Sequence, residues 1–237
     1  MARQRRRIQV AIDGPAASGK STAARGVAQR LGGFYINTGD MYRAVTWQAL
    51  ERGLDIEHDP AAVAAMLPAL EIRYRLDGSG VPVLHVNGAP APQSEIRHPR
   101  VAAQVSHVSA IPEVREWMVQ RQRETAELGL IVMEGRDIGT VIFPRATVKF
   151  FLTASPEVRA RRRLAQPGET LPGATVESVA ADIARRDRID STRAVAPLRP
   201  AADAIVIDSS DLTIEQTLAL MVKHIEAATA PRRRRKP

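Results

Sequence analysis

A phosphate-binding loop is the first part of this chain whose residue types and spacing indicate chemistry. Gly14 and the run Gly19-Lys20-Ser21 fit the spacing G-x-x-x-x-G-K-S. Glycines here let backbone N–H groups approach an anion closely. The lysine can neutralise the β- and γ-phosphates of a nucleoside triphosphate, and the serine hydroxyl can ligate Mg²⁺. The residues that we expect to contact the nucleotide are Gly14, Pro15, Ala16, Ala17, Ser18, Gly19, Lys20, Ser21 and Thr22.

The segments on either side of the loop favour this interpretation over a chance glycine-rich turn. Residues 8–12 are a short apolar run rich in β-branched side chains, which predicts a buried strand that stops at Gly14-Pro15. Residues 21–31 place apolar side chains at spacings of three and four, which is typical of a helix with one buried face. The helix would direct its positive N-terminal end at the same anion.

Three arginines predict a second anion site beside the loop. Arg136 directly follows a buried strand, Arg43 follows another strand and a turn, and Arg193 follows a helix. Groups that follow strands meet at the carboxyl edge of an open α/β sheet, where ligands bind. Arginine suits bidentate phosphate contacts, each worth about 1.5–3 kcal/mol. A single arginine is more often a surface ion-pair partner, so it is their joint placement that favours a site.

Other polar residues leave the metal chemistry open. Glu134 ends the same strand that leads to Arg136, and it could either approach Mg²⁺ or pair with an arginine. The five histidines show no metal-ligand spacing. Ser21, together with the nucleotide, is therefore the expected contact for magnesium.

The elements that must position these residues alternate between strands and helices. Asp40 is expected to cap the helix that begins at Met41, and a helix after residue 93 is expected to be interrupted near Pro99. Five strands among helices predict a three-layer α/β/α sandwich of the P-loop kinase type, with a mainly parallel five-stranded sheet. Strands are predicted at 8–12, 34–36, 130–133, 147–153 and 204–207, and helices at 21–31, 41–52, 60–67, 94–109, 112–128, 155–164, 175–187 and 213–227.

A small antiparallel sheet interrupts this rhythm near residues 70–90. Apolar and polar residues alternate over 71–77, Asp77-Gly78-Ser79-Gly80 forms a hairpin turn, and 81–86 is the partner strand. Asn87-Gly88 indicates another turn and a possible third short strand. We interpret this sheet as an insertion beside the core.

Composition limits the class of protein. A chain of 237 residues suffices for one compact domain. It contains no cysteine, so disulfides and cysteine–metal clusters are excluded. No apolar run reaches about 18 residues, and the N-terminus has no convincing signal-peptide pattern, so we expect no membrane contact and a cytoplasmic location.

The net charge of +8 lies entirely at the chain ends. Nine of the 34 basic residues fall in residues 1–7 and 232–236, which leaves 25 basic against 26 acidic residues elsewhere. We expect 1–7 and 231–237 to be disordered basic tails around a domain at 8–230. They are either solubilising or make weak, salt-sensitive contacts with nucleic acid.

Four segments of the chain together resemble bacterial cytidylate kinases, which are nucleoside monophosphate kinases. The resemblance runs from about residue 8 to 227, and Gly135-Arg136-Asp137-Ile138-Gly139-Thr140 is far more specific than the phosphate loop. The segments that carry it are 13–21, Thr38-Gly39-Asp40-Met41-Tyr42-Arg43, 134–144 and the run from Arg186 to Arg193.

The resemblance implies transfer of a phosphoryl group from ATP, bound with Mg²⁺, to CMP or dCMP. It implies a monophosphate-binding insertion at about 60–110 and a lid at about 155–175. We also expect a monomer. The catalytic residues that it implies are Lys20, Arg136, Arg162, Arg163 and Arg193, with Arg159 as a further lid arginine. The CMP-binding residues that it implies are Thr38, Arg43, Ser106, Arg115, Gly135, Arg136, Asp137, Asp190 and Arg193.

Within that set, the resemblance assigns Arg43, Arg136 and Arg193 to the acceptor phosphate. It assigns Ser106, Arg115 and Asp137 to cytosine, and Asp190 to the sugar hydroxyls. A carboxylate suits this task because it accepts from the N4 amino group of cytosine, which uracil lacks. Two alternatives remain: a P-loop kinase for another small acceptor such as UMP, and a P-loop protein that binds nucleic acid through its tails.

Overall fold

The computed structural model describes residues 8–166 and 169–230. The basic segments 1–7 and 231–237, which we expect to be disordered tails, either solubilising or in weak contact with nucleic acid, lie outside the described residues, as do Pro167 and Gly168. Within the described ranges, no helix is both long and apolar enough to cross a bilayer.

The described residues form eight strands and nine α-helices. The strands are β1 (Gln9–Asp13), β2 (Phe34–Asn37), β3 (Ile72–Leu76), β4 (Pro82–Val86), β5 (Ala89–Pro90), β6 (Ile131–Gly135), β7 (Val148–Thr153) and β8 (Ile205–Asp208). The helices are α1 (Lys20–Leu31), α2 (Thr38–Glu51), α3 (Pro60–Met66), α4 (Gln93–Ile96), α5 (Pro99–Ala110), α6 (Pro112–Glu124), α7 (Pro156–Leu164), α8 (Val176–Thr192) and α9 (Ile214–Thr229).

The central sheet confirms the predicted five parallel strands, in the order β2-β6-β1-β7-β8. Asp13 of β1 is in register with Gly135 of β6, and Asn37 of β2 is in register with Glu134. The loops that follow these three strands therefore leave the sheet side by side. This places the phosphate loop, the start of α2 and the segment after β6 at one edge.

Alternating side chains of β1 build the core on both faces of the sheet. Val10 and Ile12 pack on one face with α1 and α9. Ala11 points to the other face, where Ile36 and Met133 pack with the helical turn at 138–142. These are the three predicted layers, and the two-residue period of the strand produces them.

The insertion is also confirmed, as an antiparallel sheet in the order β3-β4-β5. Ile72 and Leu84 of this sheet are buried with Met41 and Val45 of α2 and with Val105 of α5. The insertion therefore shares a core with the helix that carries Arg43. The predicted interruption at Pro99 is present between α4 and α5, where Pro99 takes the first helical position.

The prediction that Asp40 caps the second helix was wrong. The helix begins at Thr38, and the Asn37 side chain accepts the Asp40 N–H at 3.3 Å. Instead, both oxygens of the Asp40 carboxylate accept from Arg97 Nη2, Oδ1 at 2.8 Å and Oδ2 at 2.7 Å. Asp40 thus lies in the first turn of α2, with its carboxylate held by Arg97 at the end of α4. Helix α8 also runs further than predicted, so Asp190 lies within it.

Candidate active site

The phosphate loop is held in a shape that its glycines permit. Gly14 has φ of +149°, and a Cβ there would overlap the carbonyl oxygen of Leu152 in β7. Gly19 has φ of +90° directly before α1. Both conformations are costly for residues with a side chain. The glycine spacing that the sequence predicts is therefore required by the close approach of β7 and by the turn into the helix.

The Lys20 side chain lies inside the loop. Its Nζ donates to the carbonyl oxygen of Pro15 at 2.5 Å and to Ser18 Oγ at 3.3 Å. Burial and the nearby Arg136 lower the pKa of Lys20 well below its ordinary value, whereas Glu134 raises it. An anion in the loop would stabilise the ammonium form of this lysine.

A cavity of about 660 Å³ opens in front of the loop. Residues 16–22 line one side of it, as expected for the nucleotide contacts, and Gly14 and Pro15 form the loop behind. Three carboxylates also line the cavity: Asp40, Glu134 and Glu169. They are outnumbered by eight cationic side chains, Lys20, Arg25, Arg43, Arg97, Arg136, Arg162, Arg163 and Arg186. The cavity is therefore suited to a ligand of high negative charge.

A second cavity of about 60 Å³ adjoins the first, because Glu134, Arg136 and Arg186 line both. Most of the residues expected at an acceptor nucleotide line this smaller cavity: Thr38, Arg115, Gly135, Arg136, Asp137, Asp190 and Arg193. Arg43 lines only the larger cavity. The two predicted anion sites thus lie next to each other and share two arginines.

Asp137 and Arg115 form a buried ion pair in the smaller cavity. Arg115 Nη1 also donates to the carbonyl oxygen of Ser109 at 3.1 Å, and Arg193 Nη2 lies 3.7 Å from Asp137 Oδ1. Burial alone would lower the pKa of Arg115, but Tyr42 and Asp137 raise it above its ordinary value. The buried pair therefore presents both hydrogen-bond donors, on Arg115, and acceptors, on Asp137, to the smaller cavity.

A second ion pair joins the two cavities. Arg136 Nε donates to Asp190 Oδ2 at 2.8 Å, and Arg193 Nη1 lies 3.7 Å from Asp190 Oδ1. Burial would raise the pKa of Asp190, but Arg136, Arg186 and Arg193 hold it below its ordinary value. Asp190 is thus an ionised carboxylate beside the shared arginine.

Arg162 and Arg163, the two arginines expected at a lid, have different partners. Arg162 donates to Ser209 Oγ at 3.0 Å and to Ser209 O at 2.7 Å, and lies 3.4 Å from Ser18 O of the phosphate loop. Arg163 pairs with Glu169. Burial, together with the positive charges of Arg43, Arg136 and Arg97, lowers the pKa of Arg163 to about 10.

Arg159, the third expected lid arginine, does not line either cavity. It pairs with Asp187 and donates to Ala16 O at 3.2 Å, and Asp187 Oδ1 accepts the Ala16 N–H at 3.1 Å. This pair braces the phosphate loop from outside. Ser106 also lies outside the linings; it is buried, and its Oγ has no hydrogen-bond partner within the described part of the chain.

Sequence reasoning missed Arg186. This guanidinium lines both cavities, and its Nε has no hydrogen-bond partner among residues 8–166 and 169–230. Burial and Arg136 lower the pKa of Arg186 well below its ordinary value. Its spacing from Asp190 could have identified it, because Arg186 precedes Asp190 by about one helical turn and lies on the same face of the helix.

The surroundings of Glu134 indicate whether the site fits a magnesium ion. Its carboxylate accepts the Tyr35 hydroxyl and has no arginine partner in the described residues, so the second of the two alternatives, an arginine pair, is not found there. The described residues hold no group of three or more acidic, histidine or cysteine side chains that could bind a metal ion. Ser21 and Glu134 suit a magnesium ion that takes most of its ligands from phosphate and water.

Comparisons with known proteins agree with this geometry. The cytidylate kinase family model matches residues 10–227. A cytidylate kinase of Geobacillus kaustophilus is 49% identical over 214 residues, covering 90% of this chain and 94% of that protein. A cytidylate kinase of Nocardia farcinica is 47% identical over 212 residues, covering 89% and 90%.

Among solved structures, an uncharacterized protein of Eubacterium ventriosum resembles this chain in fold. It aligns with a TM-score of 0.50 at 12% identity, over 93% of this chain and 99% of that one. The likeness concerns the fold alone.

Proposed function

The chain belongs to the cytidylate kinase family, and on that basis we propose that it transfers the γ-phosphoryl group of ATP to CMP or dCMP, giving ADP and CDP or dCDP. The observation that carries this proposal is the pair of adjoining cavities that share Arg136 and Arg186. ATP and a nucleoside monophosphate together carry about six negative charges near neutral pH. An excess of five cationic over acidic side chains in the larger cavity supports such a pair of ligands.

The donor occupies the larger cavity in this proposal. Backbone N–H groups of residues 16–22 bind its phosphates, and Lys20 moves from its contacts on Pro15 and Ser18 to the β- and γ-phosphates. Magnesium would be held by Ser21 and the phosphate oxygens, with Glu134 nearby through water. When bound, the ion would supply positive charge that neutralises the phosphates.

The acceptor base occupies the smaller cavity. Asp137 accepts from the cytosine N4 amino group, and Arg115 donates to the acceptor atoms of the base. Ser106 has a buried and unpaired hydroxyl within the described chain, which supports a role as a further donor to the base. Uracil presents a carbonyl oxygen to Asp137 instead of an amino group, so UMP is disfavoured.

Arginines bind the acceptor phosphate between the two cavities. We assign Arg43 and Arg136 to this phosphate, as the sequence predicts, and add Arg186 because it lines both cavities. Asp190 is assigned to the sugar hydroxyls. Arg193 contacts both Asp137 and Asp190, which supports a role in holding these two carboxylates in addition to the phosphate role that the family pattern implies.

The chemical step needs positioning and charge neutralisation. An oxygen of the acceptor phosphate forms a bond to the γ-phosphorus while the bond from that phosphorus to the bridging oxygen of ADP breaks, and ADP leaves with the electron pair. Arg136, Arg162 and Arg163 surround the region where the charge moves. One well-placed arginine can be worth about 10³–10⁵ in rate. A single chain lines both cavities, which supports a monomer as the working unit.

A panel of acceptors tests the proposal. Purified protein is given ATP and Mg²⁺ with CMP, dCMP, UMP or AMP, and ADP formation is followed in a coupled assay. We expect kcat/KM for CMP or dCMP to exceed that for UMP by at least about tenfold. Preference for UMP would favour the alternative acceptor, and turnover that requires added RNA or DNA would favour a nucleic-acid-binding protein.

A further inference from the structure

The turn that follows Asp137 is capped from a distant strand. Residues 138–142 form one helical turn whose first N–H groups need acceptors. Asp13, at the end of β1, supplies both acceptors: Oδ1 accepts the Ile138 N–H at 2.8 Å and Oδ2 accepts the Gly139 N–H at 2.7 Å. The Asp13 side chain is 3% exposed, so water does not compete for these contacts.

Asp137 occupies the N-cap position of this turn, yet its side chain makes no capping hydrogen bond. Aspartate is among the residues most strongly preferred at this position, because its carboxylate satisfies the free N–H groups. Here that carboxylate lies on Arg115 in the smaller cavity. Of the two N–H groups that an N-cap carboxylate could accept here, those of Gly139 and Thr140, Asp13 already takes the one of Gly139.

We infer that Asp13 is a positioning residue for base recognition: by capping the turn 138–142 in place of Asp137, it leaves the Asp137 carboxylate free to face the acceptor base. This inference rests on the proposed function for its link to cytosine. Asp13 directly precedes Gly14, the first glycine of the phosphate loop.

Close packing at Gly139 supports the same arrangement. A Cβ at Gly139 would lie 3.3 Å from Asp13 Oδ2 and 3.1 Å from the Cδ of Lys149. The glycine lets the turn approach the carboxylate closely. The Lys149 ammonium itself points elsewhere, because it donates to Pro144 O and Asp203 Oδ1.

Protonation of Asp13 gives a test that needs no substitution. Burial raises the pKa of the Asp13 carboxyl to about 6, although the N–H groups of Gly139 and Ile138 oppose this shift. Asp137 raises the pKa further, and Lys20 lowers it. Below this pH one carboxyl oxygen carries a proton and cannot accept an N–H group, so the cap is weakened as the pH falls.

The experiment compares wild type, Asp13→Asn and a control, Asp182→Asn, whose exposed carboxylate on α8 pairs only with Arg185 among the described residues. The readout is the ratio of kcat/KM for CMP to kcat/KM for UMP between pH 5.5 and 8. This ratio cancels the ionisation of the substrate phosphate, which both acceptors share. We expect the ratio of D13N at pH 7.5 to fall about tenfold or more. The KM for ATP should change less, and D182N should match wild type.

A spectroscopic readout separates this inference from the proposed function. In wild-type protein labelled with ¹⁵N, the amide signals of Ile138 and Gly139 should titrate with a midpoint near pH 6, and in D13N they should not. Should D13N fail to fold, the wild-type ratio decides: a fall below about pH 6 supports the inference. Amide signals that do not titrate, or a folded D13N with the wild-type ratio, would overturn it. If neither CMP nor UMP is phosphorylated while the amides titrate, the proposed function fails and the cap stands.

Discussion

At the scale of single residues, burial of charge explains most of the site. Lys20, Arg43, Arg163 and Arg186 all have pKa values below their ordinary range, because each is taken out of water beside other cations. Such a cluster costs free energy in the folded protein until anions neutralise it. The site is therefore held ready for phosphates at some expense of stability, as is common where charge is arranged for catalysis.

Replacement of Lys20 by alanine should remove phosphoryl transfer and retain the fold. Among residues 8–166 and 169–230, its ammonium donates hydrogen bonds to the phosphate loop alone, at Pro15 and Ser18. We expect kcat for CMP to fall by about 10³-fold, because charge that develops on the transferring group loses its nearest cation. Thermal unfolding followed by circular dichroism should show a Tm at or above that of wild type, since a buried cation has been removed.

The matched control is Lys223→Ala, on the exposed face of α9. It removes the same charge far from the phosphate loop and should leave kcat unchanged. A K20A enzyme with wild-type turnover would contradict the role assigned to the loop lysine.

At the scale of elements, the segment after α7, which we propose as part of a lid, places an acidic side chain among the arginines. Glu169 follows α7, pairs with Arg163, and lies 3.4 Å from Arg97 Nη1 and 3.7 Å from Arg43 Nη2. A carboxylate among three guanidinium groups occupies the kind of position that a phosphate oxygen would take. Binding of the acceptor phosphate should therefore displace it.

The variant Glu169→Gln should bind anions more tightly than wild type. Without the carboxylate, the arginines lose an internal competitor, and we expect the Kd of CMP and of inorganic pyrophosphate to fall about tenfold. Isothermal titration measures both. Glu157→Gln serves as the control, because Glu157 lies on α7, the helix that precedes Glu169, and pairs with the exposed Arg161. Unchanged or weaker binding by E169Q would show that Glu169 does not compete with the ligand.

The elements also show what a sequence pattern can and cannot predict. The strand, loop and helix of residues 8–31 were predictable because the whole pattern is contiguous. The cap of α2 was not, because Asn37, Thr38 and Asp40 are all good capping residues. Asn37 is the residue that caps the helix, and the Asp40 carboxylate pairs with Arg97, which lies 57 residues later in the chain.

At the scale of the whole molecule, parallel strand order brings distant segments to one edge. Asp13 and Ile138 are 125 positions apart, yet β1 and β6 are neighbours and their ends meet. No local pattern encodes that contact, since Asp13 binds backbone N–H groups that any residue could supply. The convergence of Arg43 and Arg136 was predictable from strand ends. The family resemblance assigned Asp137 and Arg115 to one base, but their ion pair was not predicted.

The central claim is that two anionic nucleotides bind side by side in adjoining cavities. One molecule that spans both, adenosine and cytidine joined 5′ to 5′ through five phosphates, tests this most directly by isothermal titration. We predict one molecule bound per chain, with a Kd at least about 100-fold below that of ATP, and no binding of CMP to the complex. A Kd no lower than that of ATP, or a complex that still takes up CMP, would contradict the claim.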